Sequence, residues 1–135
     1  MSPKAARPHA MKGYTVSRNT SGCGEIYTTV TIDSSTGLPA EVFIRFGKAG
    51  GCGSAIADGI ALLASYGLRS GLDPLDAIKA LSGISCHHGN NSCMAVVAES
   101  IQFVMAALQT GRDINDIIED FDLGLSEVTS EKTSD

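Results

Sequence analysis

Tryptophan is absent from these 135 residues and aromatic side chains make up only 5% of them, so a core built from stacked rings is excluded. Packing has to come from Ala, Ile, Leu and Val, interspersed with 15 glycines. Basic runs are missing too: Asp plus Glu outnumber Lys plus Arg by 15 to 10. Without clustered cations to neutralise phosphates, a nonspecific nucleic-acid coat is not expected. No stretch of about 18 apolar residues is present. The opening residues, MSPKAARPHAMKG, lack the apolar middle of a secretory signal. A cytoplasmic chain with no membrane partner is the expectation. No C-x-x-C, no G-x-x-x-x-G-K-[ST] and no G-x-G-x-x-G occurs, and nothing in the sequence pairs a nucleophile with a base, so no catalytic residue is assigned.

What is present is one domain's worth of pattern with ragged ends. Residues 1–12 read as a flexible lead-in, 13–123 as a single domain, and 124–135, rich in Ser, Thr and acids, as a disordered acidic tail. Between Tyr14 and Phe46 the apolar period is two. Ile26, Thr28, Val30 and Ile32 share one face, a turn cluster Asp33-Ser34-Ser35-Thr36-Gly37 follows, and Val42, Ile44 and Phe46 resume the pattern opposite Glu41, Phe43 and Arg45. This predicts an antiparallel hairpin, extended to three strands by residues 13–18.

The period then lengthens. Ile56, Ile60, Leu63, Ala64 and Gly67 predict a helix over 53–69. Asp73-Pro74 starts a second, with Leu75, Ile78 and Leu81 as its buried stripe. Ser92 caps a third through Leu108, and Asp113 caps a short fourth over 114–121. Strands first and helices after them predict an α+β fold, with the helices packed on one face of a small sheet. Such a sheet leaves edges and a second face to cover, which makes a homo-oligomer the expectation.

Four cysteines carry the chemistry on offer: Gly22-Cys23-Gly24, Gly51-Cys52-Gly53, Ser85-Cys86-His87 and Ser92-Cys93-Met94. In a reducing compartment these are thiols or metal ligands rather than a disulfide framework. Their spacings of 29, 34 and 7 residues supply no local ligand pair, so a tetrahedral thiolate site would need tertiary structure to assemble it. Cys52 and Cys93 fall at predicted helix starts, which favour thiolate. Cys86 and Cys93 bracket a short loop and could exchange as a redox pair. Plain burial of four small apolar thiols is the third reading. His87 and His88 are either solvated loop residues or substitute zinc ligands. The stretch Gly47-Lys48-Ala49-Gly50-Gly51-Cys52 joins a strand to a helix. It is either a tight connection or an anion cradle in which Lys48, Gly50 and Gly51, with His87 or His88, take a nucleotide or another phosphorylated metabolite. Glu25, Glu41, Arg45, Asp58 and Arg69 read as solvated faces or surface ion pairs.

Several of these segments resemble a known family. Thr20-Ser21-Gly22-Cys23-Gly24-Glu25-Ile26-Tyr27, Glu41-Val42-Phe43-Ile44-Arg45-Phe46-Gly47-Lys48-Ala49-Gly50-Gly51-Cys52, Leu68-Arg69-Ser70-Gly71-Leu72-Asp73-Pro74 and Leu81-Ser82-Gly83-Ile84-Ser85-Cys86 are similar, in order, to the TSCPD domain. That domain occurs at the carboxyl end of adenosylcobalamin-dependent (class II) ribonucleotide reductases and as small stand-alone proteins. The resemblance spans roughly residues 7 to 110, and all four cysteines fall where the family's motif cysteines fall. One departure is clear: the Thr-Ser-Cys-Pro-Asp stretch that names the family stands here as Asn91-Ser92-Cys93-Met94-Ala95. It keeps the sulfur and loses a carboxylate. The resemblance implies a module associated with deoxynucleotide synthesis, with a ribonucleotide reductase or a nucleotide-like small molecule as partner. It implies a structural zinc held by Cys23, Cys52, Cys86 and Cys93. It carries no active site, because a chain of this length cannot hold the barrel that houses radical chemistry.

Overall fold

Alternation of β-branched residues with polar ones over residues 12–46 produces a three-stranded antiparallel meander: β1 (Lys12–Asn19), β2 (Glu25–Ile32) and β3 (Pro39–Phe46), in the order β1-β2-β3. A computed structural model of the chain describes residues 6–20, 24–47, 51–84 and 93–124, with the backbone alone for 51–54. The β2–β3 turn forms because Asp33 Oδ1 accepts from the Ser35 amide and hydroxyl, while Gly37, at φ +73°, donates its N–H to the Asp33 carbonyl at 2.7 Å. Register then places Val16, Thr28 and Ile44 in one cross-strand row and Val30 beside Val42 in another. These rows make the buried face of the sheet.

Four helices follow: α1 (Gly51–Arg69), α2 (Pro74–Ser82), α3 (Cys93–Thr110) and α4 (Ile114–Asp122). The α+β fold expected from the sequence is the fold observed. Asp73 and Asp113 cap α2 and α4, accepting from the amides of Leu75 and Asn115. Helix α3 lies across the buried face over β1 and β2, flanked by α2 and α4. Its residues Val96, Val97, Ile101, Phe103 and Val104 are almost fully buried against Ile26, Val30 and Val42. By length and composition α3 is apolar enough to cross a membrane, the one such helix among the described residues, and 56% of it is buried inside the fold as the core helix. Thr28 also points into this core, and its hydroxyl has no hydrogen-bond partner among the described residues. A buried hydroxyl without a partner costs on the order of 1 kcal/mol or more. Thr28→Val is therefore expected to raise stability by about 1 kcal/mol, read as a higher urea midpoint at unchanged slope.

Helix α1 departs from the expected stripe. Ile56 and Leu63, the large apolar residues of the predicted buried face, are 61% and 73% exposed, whereas the small residues Ala57, Ala61 and Ser65, with Leu68, are the buried ones. The physical reason is where the helix packs. It runs along the free edge of β3 rather than over a sheet face, and Ser65 Oγ both accepts from the Val42 N–H (2.9 Å) and donates to the Val42 carbonyl (3.0 Å). Close approach to a strand edge selects small side chains. In α2 the buried positions are Pro74, Ala77 and Ile78; Leu75 is exposed and Leu81 only half-buried.

Glu41 and Arg69 are corrected as well. Glu41 is 3% exposed, on the sheet face opposite α3. Its Oε2 lies 2.7 Å from Arg7 Nε and 3.7 Å from an Arg69 guanidinium nitrogen, and its Oε1 accepts from the Thr31 hydroxyl at 3.0 Å. Arg7, inside the stretch read as a lead-in, is thereby tied to the sheet.

Candidate metal centre

The direction of the elements decides which chain segments meet. Leu108, near the end of α3, lines a surface depression with Lys12, Gly13 and Tyr14 at the start of β1. Arg18, near the end of β1, donates to Glu99 in the second turn of α3 at 3.0 Å. Helix α3 is therefore antiparallel to β1. From Glu99 its axis runs back about 9 Å to Cys93, while β1 runs on about 7 Å from Arg18 to Thr20. The start of α3 and the end of β1 reach the same level.

That level is also where β2 begins and β3 ends. Thr20 donates its N–H to the Gly24 carbonyl at 2.9 Å, closing the β1–β2 connection. Gly47 donates to the Glu25 carbonyl at 2.8 Å, so the residue that follows β3 sits beside the first of β2. Gly24 takes φ +77°, a left-handed conformation that a side chain would resist. A Cβ on Gly47 would press to 3.2 Å on the Glu25 carbonyl, so glycine is what lets the strand end lie this close. Helix α1 runs antiparallel to β3, with Ser65 at Val42 and Arg69 near Glu41, and so it starts at this same end.

Each cysteine is placed by what flanks it. Cys93 opens α3 and is half-buried against the core. Cys52 is in the first turn of α1, following Gly51. Cys23 precedes Gly24. Cys86 lies in the connection between α2 and α3. Cys23, Cys86, His87, His88, Lys48 and Gly50 are outside the described residues, as is the Cys52 side chain. Among the described residues, no group of three or more His, Cys, Asp or Glu is placed to hold a metal. Two cysteines begin helices, where the helix dipole favours thiolate, the form that binds zinc, and the first turns of α1 and α3 contain no acidic residue to oppose it.

Beside this end sits a charged cluster that the sequence reading did not find. The Arg18 guanidinium carbon lies 5.2 Å and 5.8 Å from the ring centres of Phe103 and Phe121, which meet edge to face at 5.1 Å. Arg18 also forks onto both Asp122 oxygens at 2.9 and 3.0 Å and bonds Glu99. It ties α3 and α4 to the sheet beneath the cysteine-bearing end. The bond from Arg18 holds the Asp122 carboxyl below its usual value of 3.8. A carboxyl lowered by folding stabilises the fold above its unfolded pKa, and that contribution is lost as pH falls through the folded value. Asp122 is 51% exposed, so the effect is small, under about 1 kcal/mol. Wild type is expected to outlast Asp122→Asn in urea at pH 7, and the gap should be narrower at about pH 3. A gap of equal size at both values would remove the ion pair from the account.

The model of a family described as the TSCPD domain matches residues 1–105 of this chain. No curated protein and no solved structure gives a significant match.

Proposed function

The chain belongs to the TSCPD domain family, and from that premise we propose that it is a cytoplasmic, non-catalytic accessory or regulatory module, related to the carboxyl-terminal domain of class II ribonucleotide reductases, that folds around one structural zinc. Cys23, Cys52, Cys86 and Cys93 hold the metal. The observation that carries this reading is the shared level of three described chain ends: Gly24 beside Cys23, the first turn of α1 with Cys52, and Cys93 opening α3. Cys86 is tethered seven residues before Cys93. A topology that gathers ligands from distant parts of the sequence does by tertiary structure what a C-x-x-C does locally. Bound zinc would supply charge for four thiolates and cross-link the sheet end to α1 and α3.

Two other uses of these residues rank below it. A phosphorylated metabolite held by Lys48, Gly50, Gly51 and His87 or His88 would draw on the amides that open α1, and those amides are also what stabilises a Cys52 thiolate. Electron transfer through Cys86 and Cys93 needs an accessible attacking thiol, while Cys93 packs half-buried against the core. Elemental analysis and native mass spectrometry of protein as purified are expected to find one zinc per chain, with each Cys→Ser variant losing metal. Metal well below one per chain, with all four variants still folded, would sink the proposal.

A further inference from the structure

We propose that the sheet face turned away from α3 binds one mononucleotide, its base between Tyr27 and Phe43 and its phosphate on Arg45. This site shares no residue with the cysteine set or with the loop around Lys48. On this face β2 presents Tyr27, Thr29 and Thr31, and β3 presents Glu41, Phe43 and Arg45. The Glu41 end is closed by Arg7 and Arg69. Beyond it a depression of about 310 Å³ opens between Thr15, Tyr27, Thr29, Phe43 and Arg45. Ligand pockets run from roughly 300 to 1,000 Å³, so this one has room for a single small molecule.

Arg45 supplies the charge. The chain has five arginines, and Arg7, Arg18, Arg69 and Arg112 each hold a carboxylate. Arg45 is exposed and has no ion-pair or hydrogen-bond partner among the described residues. Glu25, the acid at the same end of the face, is engaged elsewhere: one oxygen accepts from the Tyr27 hydroxyl at 3.1 Å and the other from the Ser17 hydroxyl. A guanidinium presents a planar fork of donors that matches phosphate oxygens.

The two rings supply the walls. Tyr27 pairs with Arg45 and Thr29 with Phe43, which makes Tyr27 and Phe43 diagonal neighbours across β2 and β3. Diagonal residues are roughly 7–8 Å apart, the separation that lets one planar ring touch both walls at about 3.5–4 Å. The bond to Glu25 anchors Tyr27, whose ring leans towards Gly47: a Cβ added there would lie 3.6 Å from its Cε2. Phe43 is 49% exposed in a chain with few aromatic residues. On the floor the Thr15 and Thr29 hydroxyls are 2.9 Å apart. Whichever of them donates, the other keeps its hydrogen for a third acceptor, and the carbonyls and ring nitrogens of a base are such acceptors. A nucleic-acid strand is a poorer occupant, because successive phosphates need successive cations, whereas the net charge of the chain is -5 and this end of the face offers one arginine beside Glu25.

Titration calorimetry and amide shift mapping by NMR test this on the full chain, with the adenosine, guanosine, cytidine and uridine monophosphates and their nucleosides. At least one monophosphate is expected to bind with a dissociation constant on the order of 100 µM. It should shift the amides of Thr15, Tyr27, Thr29, Phe43 and Arg45, and its nucleoside should bind about 10-fold more weakly. Arg45→Gln should weaken the monophosphate about 10-fold and leave the nucleoside unchanged, so that the two bind alike. Phe43→Leu should weaken both about 10-fold. Both side chains are exposed, and both variants are expected to keep the wild-type melting temperature. No binding of any of the four at about 5 mM overturns the proposal. So do shifts confined to the first turn of α1, the outcome that the loop around Lys48 predicts. A single-stranded decanucleotide that binds more than about 10-fold tighter than the monophosphate would make the face a strand platform and overturn it as well. Loss of the metal reading would leave all of these expected results unchanged.

Discussion

Chelation of the proposed zinc is expected to open one end of the molecule and lower its melting temperature by about 10 °C, equivalent to roughly 3 kcal/mol for a chain of this size. Small zinc domains that owe their whole structure to the metal gain on the order of 10–16 kcal/mol from it. A smaller loss is expected here because, among the described residues, the fully buried core around Phe103, Ile26 and Val97 contains no cysteine, and Cys93 packs only against its margin. Hydrogen exchange should resolve the difference by location. Protection should fall at Thr20 and Gly24, at Gly47, and in the first turns of α1 and α3, while central residues of β2 and α3 keep theirs. Acidification should mimic the chelator, since thiolates must take up protons to release the metal. Identical melting and exchange with and without chelator would remove the metal from the structural account.

Glu41→Ala should be the most damaging single substitution away from the cysteines, with an expected loss of about 3–5 kcal/mol. The carboxylate is 4% exposed and receives Arg7, Arg69 and the Thr31 hydroxyl together. Removing it takes a carboxylate away from the Arg69 guanidinium, whose side chain is only 14% exposed, and takes the acceptor from the buried Thr31 hydroxyl, and these desolvated groups set the size of the penalty. Arg7→Ala leaves the 4% exposed Glu41 carboxylate with Arg69 and the Thr31 hydroxyl still beside it, so it should cost less, about 1–2 kcal/mol. Equilibrium urea unfolding of the two variants beside wild type is the measurement. A loss below about 1 kcal/mol for Glu41→Ala would mean that the network contributes nothing net.

Period-two and helical patterns located every element of the fold, and Asp73, Pro74 and Asp113 marked helix starts that the backbone confirms. What periodicity cannot carry is direction. A stripe of large apolar residues on α1 reads as a buried face, yet the helix abuts a strand edge, where Ala57, Ala61 and Ser65 fit and Ile56 and Leu63 do not. Glu41 alternates with Val42 as an outward residue should. Its burial comes from Arg7 and Arg69, respectively 34 residues before and 28 residues after it in the chain, a distance no local window spans. The cysteines lie between these cases. Their helix-start positions were legible, whereas the common level of the β1 end, the α1 start and the α3 start follows from element directions that the sequence does not state.

Ser65 has a role in keeping the protein from joining itself end to end. Strand β3 closes one side of the sheet, and Val42-Phe43-Ile44 at that border is the kind of β-prone, uncharged run that templates addition of a foreign strand. By occupying both the N–H and the carbonyl of Val42, a single hydroxyl leaves an incoming backbone nothing to pair with at the middle of the border. Fibril growth from this side would therefore have to begin with α1 lifting away, and whatever holds α1 down also guards against aggregation.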